Sequence, residues 1–181
     1  MNASQNGKGY FGKYQGTVIS NVDPMQLGRL LVEVTDVAGL VPSNWAEPCV
    51  PLAGPTGPPM GVYFVPPIGA GVWVEFQHGD PEYPIWSGCR WGGPSDIPLA
   101  AKAGVPAAPN MVMQSLTQNR IVISSVPGDG VTIETAAGEL GPRFVLSATG
   151  IKLTCGPLTS VELSPTEVKI NGQALVVKSV V

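Results

Sequence analysis

Glycine or proline interrupts this chain so often that only residues 110–126 run for more than ten positions without either. Proline removes a helix hydrogen bond and clashes with the preceding turn, and glycine costs about 1 kcal/mol in a helix interior. With 23 glycines and 19 prolines, helical bundles, coiled coils and Rossmann-type α/β domains are excluded. Disorder is opposed by 44% apolar residues and a net charge of only −3. A membrane helix needs roughly 20 apolar residues in a row, and no such run exists. The expectation is a soluble all-β protein. Residues 1–16 lack the apolar core of a signal peptide, so synthesis and folding in the cytoplasm are expected.

The aromatic residues divide the chain. All but Phe144 lie at or before Trp91, so a compact aromatic-anchored unit is expected there. Residues 93–110, rich in Pro, Gly and Ala without periodicity, read as a linker. Strand-like runs in the first half cover residues 14–22, 27–37, 45–52, 61–65, 72–77 and 85–90. In the second of these, Leu30, Val32 and Val34 share one face. Five or six short strands in this length suit a small closed barrel, which leaves no exposed edges; an OB-type barrel matches in size.

The second half alternates strictly in very short strands. Its inward sets are Ile121/Ile123, Val131/Ile133, Phe144/Leu146, Ile151/Leu153, Val161/Leu163, Val168/Ile170 and Leu175/Val177. Turns at Gly128-Asp129-Gly130, Gly141-Pro142, Gly150, Gly156-Pro157, Pro165 and Asn171-Gly172 separate them, the last predicting a two-residue hairpin. A narrow ladder with one apolar row has little to bury against by itself. Several copies packed around an axis would cover the row, so an elongated, obligately oligomeric tail is expected. A second small sandwich in a monomer is the competing reading.

The residues also carry a resemblance. The runs GKYQGTVISNVDPMQLGRLLVEV, WAEPCVPLAG and YFVPPIGAGVWVEFQHGDPEYPIWSGCRWG resemble the baseplate assembly protein V family. These are central spikes of contractile phage tails, related to VgrG spikes of type VI secretion and to extracellular contractile injection systems. The Val/Ile-rich strands that follow, with GIKLTC, VELS and VKINGQALVV, are similar to the β-helical part of such spikes. The resemblance implies a homotrimer: an N-terminal arm (1–11), an OB-fold domain (12–92), a linker (93–110) and a trimeric β-helix, or triangular β-prism (111–181). Val131, Ile133, Phe144, Leu146, Ile151, Leu153, Cys155, Val161, Leu163, Val168, Ile170, Leu175 and Val177 would then line the trimer core.

It further implies a tail hub as partner, with Tyr10, Phe11, Tyr14 and Arg29 as docking candidates. On sheath contraction the spike would puncture the target envelope, making transient membrane contact. Some relatives carry a lysozyme-type domain, for which residues 92–110 are too short. Others end in an apex holding a metal through His-x-His; this chain has one histidine, His78, and ends in ALVVKSVV. A blunt end docking a PAAR-type tip protein through Val176, Val177, Val180 and Val181 is therefore expected, with effector cargo as a further partner.

Chemistry-bearing residues are sparse. His78 and Asp80 read as loop residues, and Glu75, Asp80 and Glu82 as solvated or turn-forming carboxylates. Gly69-Ala70-Gly71 lacks the following helix and GK[ST] of a phosphate loop and suits close strand crossing. Cys49, Cys89 and Cys155, odd in number and without CxxC spacing, read as small buried apolar residues instead of a disulfide or zinc framework. No catalytic set, cofactor or metal is expected. The sequence pI of 5.0 gives no footprint for nucleic acid. An OB-fold module binding oligosaccharide or nucleic acid is the alternative function, and an envelope-degrading enzyme a third.

Overall fold

The computed structural model describes residues 9–54, 57–172 and 174–178. It is nearly all β, and among the described residues no helix is long and apolar enough to cross a membrane. The chain divides into two units, Met1–Gly92 and Gly93–Val181.

The first unit contains β1 (Tyr14–Ser20), β2 (Leu31–Glu33), the single helical turn α1 (Thr35–Ala38), β3 (Glu47–Pro48), β4 (Ala53–Gly54), β5 (Met60–Gly61), β6 (Gly71–Phe76) and β7 (Pro84–Arg90). Five strands form one sheet in the order β2-β1-β6-β7-β3, with β3 parallel to β7. Leu30 and Ala46 exchange backbone hydrogen bonds of 3.1 and 2.7 Å, joining the segments that lead into the two edge strands. The sheet thereby curls back on itself as a small barrel, which removes its open edges. Alternation supplies the interior: Val72, Val74 and Phe76 from β6 meet Val18, Leu30, Val32, Val34, Ala46 and Trp86. The Trp86 indole N–H donates to the Gly28 carbonyl at 3.0 Å, so the largest core ring leaves no polar atom unpaired.

Three local expectations change here. Residues 27–37 give only the short β2, because the backbone turns into α1 at Thr35. The expected strand over 61–65 is reduced to the tail of the β4–β5 hairpin, with Tyr63 and Phe64 exposed; Pro58-Pro59 and Pro66-Pro67 flank it and cannot donate to a ladder. All three cysteines are exposed in the chain instead of buried. Cys89 lies on the strand that gives Trp86 to the core, Cys49 follows the two-residue β3, and Cys155 stands at the end of a strand (Gly150–Cys155) with no buried apolar residue. The Gly69 turn matches its reading: Gly69 N–H donates to Val18 at 2.8 Å and Val18 N–H to Ala70 at 2.9 Å.

The second unit is one antiparallel meander: β8 (Met111–Gln114), β9 (Arg120–Ile123), β10 (Val131–Glu134), β11 (Pro142–Ser147), β12 (Gly150–Cys155), β13 (Ser160–Leu163), β14 (Glu167–Ile170) and β15 (Leu175–Lys178). Every strand pairs with its sequence neighbour, so the unit forms a single layer. Asn171 and Gly172 both take positive φ (47° and 67°), but Ile170 pairs with Leu175. The loop is therefore four residues long, not the two expected. Gly150 turns at φ 147°, where a side chain would strike the Leu163 carbonyl on the next strand.

Residues 93–110 hold two 3-10 turns, Pro94–Asp96 and Leu99–Lys102. Asn110 binds this segment to the sheet: its amide donates to Ala100 at 3.0 Å and its carbonyl accepts from Ser125 N–H at 2.9 Å.

Candidate functional site

Directly opposed residues in an antiparallel ladder point to the same face, so register alone reveals the surface of the second unit. One row crosses all eight strands as Met113, Ile121, Ile133, Phe144, Leu153, Val161, Ile170 and Leu175. The second runs Met111, Ile123, Val131, Leu146, Ile151, Leu163, Val168 and Val177. Both rows are wholly apolar, and no described residue of the second unit buries them. Exposures run from 37% at Ile121 and Val168 to 68% at Met111, and Val131, Phe144, Ile151 and Val161 are half-buried. Among the described residues, every buried apolar side chain belongs to the first unit.

The opposite face carries the ladder's ion pairs, alongside Val112, Val122 and Val145. Glu134, 7% exposed at its side chain, lies between Arg120 at 2.7 Å and Arg143 at 3.2 Å, and Arg143 also reaches Glu139 at 3.2 Å. Further along, Lys152 pairs with Glu162 at 2.8 Å, and Lys169 with Glu167 at 2.5 Å. The hydrogen bond that Lys169 donates to the Glu167 carboxylate raises the lysine pKa above its ordinary value. Charge confined to one face and two unbroken apolar rows on the other make the layer amphipathic by strand period.

All thirteen core candidates stand on strands of this ladder. Twelve belong to the two apolar rows, and Cys155, two residues beyond Leu153, continues the same face opposite Pro142. Met111 and Met113 extend the rows one strand further than the sequence reading, which began at Ile121. Their signal was present in the alternation of MVMQ. Of the tip candidates, Val177 lies on the apolar face opposite Val168, and Val176 on the polar face opposite Lys169. Val180 and Val181 lie outside the described residues.

The hub candidates occupy two places on the first unit. Tyr10 and Tyr14 pack edge-on with each other and with Phe76, at centroid distances of 5.5 to 6.2 Å. Phe11 lies against Gly79 and is 73% exposed. Arg29 is instead fixed to Asp23 at 2.6 Å, with its guanidinium 5.5 Å from the Trp45 ring centre. Asp23 also accepts N–H bonds from Met25, Leu27 and Arg29. These donors hold its carboxyl well below the usual carboxylate range. Arg29 thereby forms part of the wall of an open groove with Leu27, Leu52, Met60 and Tyr63, a surface that sequence reasoning missed because its apolar residues follow no period.

No group of three metal-ligating side chains converges among the described residues. His78 adopts φ 56° in a one-turn 3-10 segment, and Glu75 pairs with Lys13 at 3.3 Å.

Two family models match. Residues 14–91 match the type VI secretion system/phage-baseplate injector OB domain, in agreement with the barrel. Residues 110–176 match the phage baseplate V C-terminal trimerisation domain, a match that supports a homotrimer and falls on the ladder with the uncovered face. Comparison with curated proteins gives no match. The barrel at one end and the trimerisation ladder at the other agree with both models in order and extent, and the chain belongs to the phage baseplate V and type VI secretion spike family.

Proposed function

We propose that the chain is a structural, non-enzymatic central spike of a contractile injection machine, acting as a homotrimer that punctures the target envelope on sheath contraction. The observation that carries the reading is the pair of apolar rows left uncovered across all eight strands of the second unit. Completing the burial of each half-exposed Val, Ile or Leu contributes roughly 1 kcal/mol. Over two rows of eight, that total rivals or exceeds the roughly 4–15 kcal/mol lost on association. Three ladders with their apolar faces turned to a common axis give a triangular β-prism. Its outside would be the Lys–Glu and Arg–Glu face, suited to water. A hydrogen-bonded layer of this kind transmits axial load without hinges, which is the chemistry a puncturing device needs.

In this reading residues 12–92 form a collar on the tail hub, with Tyr10, Phe11, Tyr14 and the Arg29 groove as contacts. Val176, Val177, Val180 and Val181 would receive a PAAR-type tip protein, and effector cargo would travel with it. The particle is a phage tail, a tailocin or a secretion baseplate. The test is absolute mass by light scattering, with electrophoresis in SDS before and after heating. A species of three chain masses that survives unheated SDS is expected; a clean monomer of 18.8 kDa overturns the reading.

A further inference from the structure

The side-chain amide of an asparagine is open to attack by the backbone nitrogen of the next residue, unless a side chain on that residue shields the nitrogen. The described residues hold five asparagines. Asn21, Asn44, Asn110 and Asn119 precede Val, Trp, Met and Arg; Asn171 alone precedes glycine. Asn171 and Gly172 are both exposed. A second such pair, Asn6-Gly7, lies outside the described residues.

Asn171 opens the loop between β14 and β15 and is fastened to the neighbouring β13 at two atoms. Its N–H donates to the Ser160 carbonyl at 2.8 Å, and its Oδ1 accepts from the Ser160 N–H at 3.0 Å. Its own carbonyl accepts from the Ala174 N–H at 3.3 Å, which holds the Asn171–Gly172 peptide plane. The φ of 47° places Asn171 in the left-handed region, where ψ is also positive, about +47°. On that backbone Cβ and the Gly172 nitrogen lie nearly opposite each other across the Cα–C bond. Ring closure needs them eclipsed, so the native loop keeps the two reacting atoms apart.

We propose that Asn171 is a deamidation site that the Ser160 contact holds closed, and that it reacts when the β14–β15 loop lifts from β13. In the open loop the Gly172 nitrogen gives its proton to hydroxide and bonds to Cγ of Asn171. The Cγ–Nδ2 bond breaks, Nδ2 takes up a proton and leaves as ammonia, and a five-membered cyclic imide remains. Water then splits one of the two imide carbonyl–nitrogen bonds. Splitting at Cγ gives aspartate; splitting at the backbone carbonyl gives isoaspartate, in which the chain runs through the former side chain. Water is consumed, ammonia is released, and nothing is oxidised or reduced.

Isoaspartate adds one backbone atom to the four-residue loop that sets the register of β15. Leu175 and Val177 follow directly and stand in the two apolar rows. A last strand that has once come loose and reacted therefore returns out of register, and the change marks such chains irreversibly. Nothing in this chemistry depends on the number of copies in the assembly.

The test is peptide mapping by mass spectrometry of the full chain held at mildly alkaline pH, beside a synthetic peptide of residues 167–177. Mapping keeps Asn171 apart from Asn6. The peptide should deamidate at Asn171 and accumulate isoaspartate. The intact protein should react there more slowly by roughly tenfold or more, because the loop must first open locally. Amide hydrogen exchange at the Ser160 N–H reads the same opening, so its protection should match the ratio of the two rates to within about threefold. Ser160→Pro keeps the carbonyl but removes the donor, and should speed the reaction by roughly fivefold, the weight of one hydrogen bond. Equal rates in protein and peptide overturn the closed state. A slow protein whose rate follows neither Ser160 exchange nor Ser160→Pro overturns the role of that contact, and an unreactive peptide overturns the site.

Discussion

Asp23 shows how one residue organises a surface. Its carboxylate collects three backbone N–H groups and the Arg29 guanidinium, fixing a loop on which Met25 and Leu27 stand exposed. Charge-assisted bonds to a carboxylate favour its ionised form, so its folded pKa is depressed below the unfolded value of about 3.9. The contribution is therefore complete above the unfolded pKa and is lost as pH falls through that value toward the folded one. Asp23→Asn should lower the melting temperature of the first unit by roughly 5 °C at pH 7. The difference from the unmodified protein should shrink below pH 4, and thermal melts at pH 7 and pH 3 check both. A deficit that stays the same at pH 3 would mean that ionisation of Asp23 plays no part.

Neighbouring positions on one strand should respond in opposite ways. Leu153 and Lys152 are adjacent on β12, yet the first lies in an apolar row and the second pairs with Glu162 on the charged face. Leu153→Lys introduces one charge per copy beside Phe144 and Val161, and three per trimer, where no partner is available. It should convert trimer to monomer or aggregate in sedimentation. Lys152→Ser should leave the assembly unchanged within about 0.5 kcal/mol, as loss of an exposed ion pair usually does. Equal effects at both positions would show that the faces are not distinguished. This two-faced character was legible in the sequence because period two survives in strands of only four to six residues, from Ile121 to Val177. The same signal put Leu30, Val32 and Val34 on one face, and all three are buried in the core. It failed at residues 61–65, where prolines on both sides override an apolar run. It had nothing to say about the exposed turn leucines Leu116, Leu140 and Leu158, since turn residues belong to no period.

The two units of the molecule draw their stability from different sources. The first owns a core of nine buried apolar side chains, enough for a unit that folds on its own account. The second has no buried apolar side chain among its described residues, so its burial must come from other copies. Mass action then separates them. Folding linked to association gains stability with concentration, whereas folding around an internal core does not. Calorimetry of the full chain should resolve two transitions, one fixed in temperature and one rising by roughly 5 °C for each tenfold increase in protein concentration. Leu30→Ala, which empties part of the barrel core, should lower the fixed transition at a cost of about 2–5 kcal/mol and leave the concentration-dependent one in place. Leu153→Lys should do the reverse. If both transitions were independent of concentration, the ladder would have to find its apolar cover within a single chain. The two apolar rows would then be the wrong surface on which to build the spike.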